Sequence, residues 1–400
     1  MKVILAVDAI FPPLTGIGRY ALELARRLPR HPGIDEVRYL GMLGWARVRP
    51  TDRAGQLEDA LLADPAFATL RRHLARSIWA TNVYDAVSEV WRRRLLRGVR
   101  DAVYHSPNYF LPDYDGPCVA TVHDLSIYRF PETHPRARRR YFELAFERSL
   151  RRADALITDS EAVRQELIAD FSLPPERVTA IHLGVDETFR PRPAEEVRPV
   201  LARYRLEPGS YTLSVATLEP RKKLDRLIAA YADLPAPLRA RYPLVLVGAA
   251  GWLEGRIPAA IDRGRAAGWL RYLGYVPEAD LPFVYAGARA MAMISIYEGF
   301  GLPVLEAMAS GVPVLTSNCS CLPEVAGGAA LLVDPDDLQA VALQLERLLT
   351  DDAWRARAIP SALRRCAGFT WHRCLERTVA VYVSVGARAM GAIDESLMHP

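Results

Sequence analysis

Lysine is almost missing from this chain: only Lys2, Lys222 and Lys223 stand among 51 basic residues, and the rest are arginines. An arginine-heavy coding bias explains the arginines, and against it the adjacent pair Lys222 and Lys223 stands out. Cysteine is scarce too. Cys118, Cys319, Cys321, Cys366 and Cys374 are odd in number and follow no spacing pattern, which excludes a disulfide-built scaffold and points to a reducing compartment. Cys319 and Cys321 flank one serine with no histidine or second cysteine pair nearby, so no metal site is expected. Long apolar runs are absent, and with them a membrane-spanning helix. The opening "MKVILAVDAIF" has one lysine and no small-residue cleavage site. No secretory leader is expected, and the protein is expected in the cytoplasm. The net charge is only +4 over 400 residues, too little to imply a nucleic-acid partner.

What is present is repetition. The chain is too long for one ordinary core, and half of it is hydrophobic, the balance of a soluble globular protein. In the first half "KVILAVD", "VRYLGML", "VYHS", "CVATVHD", "ALITDS" and "VTAIHLG" read as buried strands. "GRYALELARRL" and "SEAVRQELIADF" read as helices, the second with Ser160 as its N-cap. The second half repeats the design with "YTLSVAT", "LVLVGA", "RYLGY", "AMAMIS", "PVLTS" and "ALLVD". Its helices are expected to start near Lys223, Ala279, Pro303, Asp336 and Trp371. This alternation predicts parallel sheets wrapped by helices. The expected class is α/β, with two Rossmann-like domains whose parallel sheets face a central cleft. The expected boundaries are an N-terminal domain over 1–190, a linker rich in proline and charge over 191–207, and a C-terminal domain over 208–370. A last helix over 371–400 is expected to pack back on the N-terminal domain.

Ligands of such sheets sit beyond the carboxyl ends of the strands, so residues there are the candidates. The segment "YEGFGLPVLEAMASG", Tyr297 to Gly311, follows one strand. A run this apolar ought to be buried, yet Glu298 and Glu306 bracket it, and a buried carboxylate is costly unless something binds it. Pro303 suits a first helical turn and Gly311 a helix end. Gly299 and Gly301 allow backbone to approach a ligand, and the helix start offers free N–H groups to an anion such as a phosphate. The two acids suit sugar or ribose hydroxyls. The plain alternatives are a solvated helix residue for Glu306 and a helix-start acid for Glu298. "LEPRKKLDRLI" puts Arg221, Lys222 and Lys223 before another helix. Cations there oppose the helix dipole unless an anion sits between them and the "GFGLP" helix start. Gly248 of "LVLVGAAGW" would admit a ligand, and the backbone near Val276 would meet a base.

In the first half, "TGIGRYALELA" fits a G-x-G-x-x-A dinucleotide pattern at Gly16 and Gly18. The loop before it is long and holds Pro12 and Pro13. The next acids, Asp35 and Glu36, precede the second strand rather than end it, so NAD is not expected. His123 and Asp124 end another strand, and for His123 a structural role is the plain alternative. "LRRHLARSIW" and "VWRRRLLRGVR" are basic and partly apolar. They read either as peripheral contacts with anionic lipid or as solvated helical faces.

Taken together, "GIGRY", "VHDLSIYRFPE", "ITDSEAVRQEL", "LSVATLEPRKKLDRLI", "YEGFGLPVLEAMASGVPVLTSN" and "LPEVAGGAALLVDP" resemble the retaining glycosyltransferases of family 4, which have the GT-B fold. The resemblance implies a C-terminal domain for a nucleotide-diphosphate sugar and an N-terminal domain for the acceptor. It places Glu306 on the ribose hydroxyls and Glu298 on those of the donor sugar. The backbone of Gly299, Phe300, Gly301 and Leu302 would contact sugar and diphosphate. Lys222 matches the family's phosphate-binding lysine, with Arg221 assisting. His123 would lie near the transferred sugar, with Gly16 and Gly18 in the loop over it. Two positions depart from the pattern: many relatives carry arginine where Thr217 stands and asparagine where Lys223 stands. Either Arg221 or Lys223 is then left to supply the missing charge.

The catalytic candidates are thus His123, Lys222, Arg221 and Glu298. The implied reaction is transfer of a hexose with front-face retention and without a metal. The leaving diphosphate gains charge, cations and a helix start stabilise it, and it takes the acceptor's proton. The segments look most like bacterial mannosyltransferases of polysaccharide assembly. GDP-mannose is therefore the first donor choice and a UDP-sugar the second. The acceptor is expected to be a glycan or lipid-linked glycan, met at the inner face of the membrane. Three rival readings fit less of the sequence. A glycoside hydrolase would need Glu298 and Glu306 to face each other across a bond, and needs no lysines beside them. A non-enzymatic sugar-nucleotide-binding protein has no use for His123, Lys222 and both glutamates together. A dehydrogenase needs the tight glycine turn that is missing here.

Overall fold

The computed structural model describes residues 1–10, 14–41, 44–46, 90–133, 136–249 and 256–398, and each apolar run quoted above forms a strand in it. The chain divides into two compact units, one of Met1–His182 with Trp371–Pro400 and one of Leu183–Thr370.

In the first unit the strands are β1 (Lys2–Ala6), β2 (Glu36–Gly41), β3 (Gly44–Trp45), β4 (Ala102–Ser106), β5 (Cys118–Val122), β6 (Ala155–Thr158) and β7 (Val178–Ala180). They lie in the order β3-β2-β1-β4-β5-β6-β7. All neighbours are parallel except β2 and β3, an antiparallel edge too short to leave a periodic signal in the sequence. The second unit holds β8 (Thr212–Val215), β9 (Leu244–Val247), β10 (Leu270–Gly274), β11 (Ala290–Met293), β12 (Val314–Ser317) and β13 (Leu331–Val333). Its sheet is wholly parallel, in the order β10-β9-β8-β11-β12-β13. The central strands are buried along their whole length, as in sheets covered by helices on both faces. In both sheets the strand order reverses once, between β1 and β4 and between β8 and β11. Such a switch point opens a crevice beyond the strand ends, where ligands of open α/β sheets bind.

The helix starts depend on named caps. Ser160 accepts from the Val163 N–H and opens Glu161–Phe171, as its position in "SEAVRQELIADF" predicts. Thr15 accepts from the Gly18 N–H at 3.3 Å and opens Gly16–Arg27. Gly16 and Gly18 are therefore the first turn of a helix, not a loop. Gly18 is glycine because a Cβ there would lie 2.7 Å from the Ala9 carbonyl oxygen. The stretch 191–207, read above as a linker, carries the helix Ala194–Arg203 within the second unit. Its prolines and charges hide a short apolar stripe, Val197 and Leu201, four residues apart and both buried. The segment after Thr370 forms the helix Trp371–Met398 in the first unit, where Tyr382 meets His105 Nδ1 at 2.6 Å. Among the described residues, no helix is long and apolar enough to cross a membrane.

Each unit has its own apolar core. Ile4, Leu40, Tyr104, Phe146 and Leu156 anchor the first, and Leu227, Leu244, Ile294, Leu315 and Leu345 the second. Each such side chain contributes about 1.5–3 kcal/mol on burial. This packing holds the strand ends in place, and the strand ends carry the chemistry.

Candidate active site

At the switch point of the second sheet, the segments leaving β8 and β11 join. The Ile296 N–H donates to the Arg221 carbonyl at 2.9 Å. From that junction Lys222 Nζ reaches both oxygens of Glu298, at 2.5 and 2.7 Å. Arg221 donates to the same carboxylate at 3.1 Å and to the Tyr297 carbonyl at 3.0 Å. Glu219 orients Arg221 at 3.1 Å and also accepts from the Thr217 hydroxyl at 2.8 Å. The four charges of this cluster cancel. Burial alone would raise the Glu298 carboxyl, but Lys222 and Arg221 beside it bring it down to about 2. It stays ionised at neutral pH.

Glu298 is held on its backbone as well. Its N–H donates to Ser320 Oγ at 3.2 Å, and its carbonyl accepts from the same hydroxyl at 2.5 Å and from Cys321 Sγ at 3.1 Å. Cys321 is thus a buried, hydrogen-bonded packing residue. Gly299, Phe300 and Gly301 are buried and lead into the helix Leu302–Ala309. Gly301 has a φ of 91°, and a Cβ there would lie 2.6 Å from Leu322. Gly311, with a φ of 74°, follows the helix as a left-handed terminator. Glu306 sits within the helix and is only 4 % exposed, which rules out the solvated-residue alternative. Glu298 spends its charge on Lys222 and Arg221, which rules out a helix-start acid.

The remaining second-unit candidates divide. Lys223 turns away to Asp336 at 2.8 Å, so Arg221 is the cation that stands with Lys222 over Glu298. Thr217 is tied to Glu219 and exposed. Gly248 does not present free backbone to a ligand: its N–H goes to the Gly274 carbonyl at 2.8 Å, and its carbonyl accepts from the Tyr272 hydroxyl at 2.9 Å. Its glycine is required by the Ala216 carbonyl, 2.0 Å from where a Cβ would stand. Val276 follows the edge strand β10, two strands from β8, and its side chain is buried.

In the first unit, His123 follows β5 and is 6 % exposed. Its Nε2 donates to the Pro107 carbonyl at 2.7 Å, and its Nδ1 meets Asp159 at 2.7 Å. A carbonyl can only accept, so Nε2 carries a proton. Burial disfavours charge on the imidazole, but Asp159 outweighs it and holds the group above its ordinary range. Both ring nitrogens are thus engaged within the unit. Gly16 is exposed at the start of its helix, while Gly18 is buried.

Asp159, Asn108 and Ser320 are the residues that sequence reasoning did not single out. Asp159 lies in "ITDS", quoted above only as a strand end, and the strand-end rule alone would have found it. Two Asp-x-Asp pairs also occur: Asp113 pairs with Arg152, Asp115 with Arg100 and Asp336 with Lys223, while Asp334 accepts from the Asp336 N–H at 2.9 Å. Among the described residues, no three His, Cys, Asp or Glu side chains gather as a metal would require.

The model of the family "Glycosyltransferase Family 4" matches residues 14–189, and that of "Glycosyl transferases group 1" matches residues 204–365. The chain is similar to the O-antigen chain mannosyltransferase B of Escherichia coli, with 39% identity covering 96% of this chain and 99% of that one. It is 37% identical to the serotype-specific mannosyltransferase WbdA of Escherichia coli over 55% of this chain and 27% of WbdA. Among solved structures, Anabaena HepE in complex with UDP and glucose matches with a TM-score of 0.71 at 18% identity, covering 96% of this chain and 100% of that one. WaaG, a glycosyltransferase involved in lipopolysaccharide biosynthesis, matches with a TM-score of 0.65 at 16% identity, covering 95% and 99%. The two parallel sheets, the charged cluster at a strand-order reversal and a relative spanning nearly the whole chain lead to one conclusion: the chain belongs to glycosyltransferase family 4, a retaining, metal-independent glycosyltransferase of the GT-B fold.

Proposed function

We propose that this enzyme moves mannose from GDP-mannose to a glycan or lipid-linked glycan acceptor. Similarity to the O-antigen mannosyltransferase and to WbdA supports the sugar. A UDP-sugar is the second choice of donor. The observation that carries the donor site is the cluster of Arg221, Lys222 and Glu298 at the switch point, with the start of the helix Leu302–Ala309 four residues after Glu298.

In this reading the diphosphate takes the helix start and the two cations. Glu298, released from them, accepts from hydroxyls of the donor sugar. Glu306 accepts from the ribose, and the backbone of Gly299 to Leu302 follows the sugar and diphosphate. As the anomeric bond breaks, negative charge grows on the leaving oxygen. Lys222 and Arg221 are already fixed beside it, so they stabilise the transition state without reorganising solvent. The leaving phosphate takes the acceptor's proton, and the new bond forms on the same face. A glycosidase use of the two glutamates is disfavoured, because hydrolysis has no need of the two cations, Lys222 and Arg221, that hold Glu298.

The acceptor is met at the cytoplasmic face of the membrane. In the helical residues 90–96, Val90 and Trp91 are 71% and 47% exposed beside the exposed Arg93 and Arg94, which supports contact with anionic lipid. "LRRHLARSIW" lies outside the described residues. A thermal-shift panel of nucleotide sugars tests the donor: GDP-mannose should raise the unfolding temperature most, and a larger rise with a UDP-sugar would overturn the choice. Sedimentation with anionic vesicles at low salt tests the membrane contact, and failure to sediment would remove it.

A further inference from the structure

The first sheet has its own switch point, between β1 and β4. The loop that leaves β4 there, Pro107 to Leu111, is held from several sides. His123 donates to the Pro107 carbonyl, and Asp159 fixes the other nitrogen of that ring. Tyr109 has a φ of 60°, a left-handed conformation that a residue with a bulky side chain rarely keeps without support. A 2.6 Å bond from the Phe110 N–H to the Asn108 carbonyl closes a tight turn around it. The Tyr109 N–H donates to the Thr121 carbonyl at 3.0 Å, and its hydroxyl accepts from the Asp124 N–H at 3.1 Å. The Tyr109 ring is buried edge-on to His123, Phe142 and Phe146.

Asn108 and Phe110 are the partly exposed side chains of this turn, and of the two only Asn108 is polar. Asn108 is partly exposed, and among the described residues its amide makes no hydrogen bond. An amide offers two donors and two acceptor lone pairs, which match the adjacent hydroxyls of a sugar ring. At the end of the neighbouring strand β1, Asp8 and Arg92 pair at 2.6 Å and cancel each other's charge. The place therefore suits a neutral polyol rather than a phosphate.

We propose that Asn108 binds hydroxyls of a neutral hexose on the acceptor, and that Asp159, acting through His123, is the positioning residue for the loop that presents it. The proposal rests on the hexosyltransferase reading and assigns the acceptor's sugar to a named site on the first unit.

The test is an NMR titration of the full chain, with GDP present, using the methyl α-glycosides of mannose, glucose and galactose. At least one glycoside should bind the wild type. Asn108→Ala should weaken that binding at least tenfold and leave GDP affinity within about twofold. Asp159→Asn should give the same selective loss, and Asp159→Glu should recover part of it. If Asp159→Asn does not fold, Asn108→Ala alone decides, since that side chain is partly exposed and bonded to nothing described. The proposal is overturned if no glycoside binds the wild type, or if Asn108→Ala leaves binding unchanged. A wild type that does not bind GDP overturns the donor choice instead, so the two failures are told apart.

Discussion

Lys222 and Glu298 lie 76 residues apart in the chain, and their side chains meet at 2.5 and 2.7 Å beyond the ends of the neighbouring strands β8 and β11. Burial opposes the charge on Glu298, and the pull of Lys222 and Arg221 outweighs it. In the proposed reading the pair holds Lys222 and Arg221 in place before the donor arrives. An incoming diphosphate then exchanges one anionic partner for another.

The ionisation of Glu298 gives a signed prediction. Its carboxyl is held at about 2 in the fold against an ordinary 4.5. The lowered value means that its stabilisation is full above about 4.5 and is lost as pH falls toward 2. A shift of this size corresponds to a few kcal/mol. Urea unfolding of wild type and Glu298→Gln should show a wide gap at pH 6 that narrows by pH 3. A gap that stays constant over that range contradicts the ion-pair description.

Arg221 and Lys223 should not be equivalent. Arg221 donates to Glu298 and Tyr297, whereas Lys223 pairs with Asp336 away from the cluster. Arg221→Ala should lower kcat by about tenfold to a hundredfold, and Lys223→Ala by less than threefold. Steady-state kinetics with GDP-mannose would reverse the assignment if Lys223→Ala proved the more damaging.

Glu306 is buried within the helix Leu302–Ala309, and the proposed function puts it on the ribose. Glu306→Ala should raise the Kd for GDP by at least tenfold, measured by calorimetry. 2′-Deoxy-3′-deoxy-GDP should bind wild type and variant alike. Equal GDP binding by the two proteins would remove Glu306 from the nucleotide site.

His105 should cost the first unit stability on mild acidification, against the opposite contribution of His123, whose pKa is raised. Burial pushes His105 down to about 3 from an ordinary 6.5, with His123 adding to the effect. Its ring meets the Tyr382 hydroxyl at 2.6 Å and the Thr121 hydroxyl at 2.9 Å. Between those two values the unfolded chain binds a proton that the folded unit excludes, so stability falls as pH drops below about 6.5. Thermal unfolding of His105→Gln should depend less on pH between 7 and 4 than that of wild type. An equal dependence would place the titrating group elsewhere.

The strands were legible because a covered parallel sheet leaves short, continuous apolar runs, and "AMAM" or "LVLV" offers no other reading. The cluster was legible because lysine is so rare that Lys222 and Lys223 draw the eye. Sequence could not say which cation turns inward, because that depends on a left-handed Lys223, with a φ of 51°, and on Asp336 far along the chain. It also could not separate a glycine kept for a ligand from one kept for a neighbour: Gly248 is explained by Ala216. The helix Ala194–Arg203 was hidden because two apolar residues among prolines and charges make a weak periodic signal. His123 was found by its place after a strand, but the hydrogen bonds that hold its ring depend on Pro107 and Asp159, which follow two other strands.

The most direct test is the turnover of Lys222→Ala at saturating GDP-mannose. If Lys222 stabilises the departing diphosphate, turnover should fall by about a hundredfold or more, with the unfolding temperature and the far-ultraviolet circular dichroism retained. Turnover near that of the wild type would show that the leaving group does not depend on Lys222.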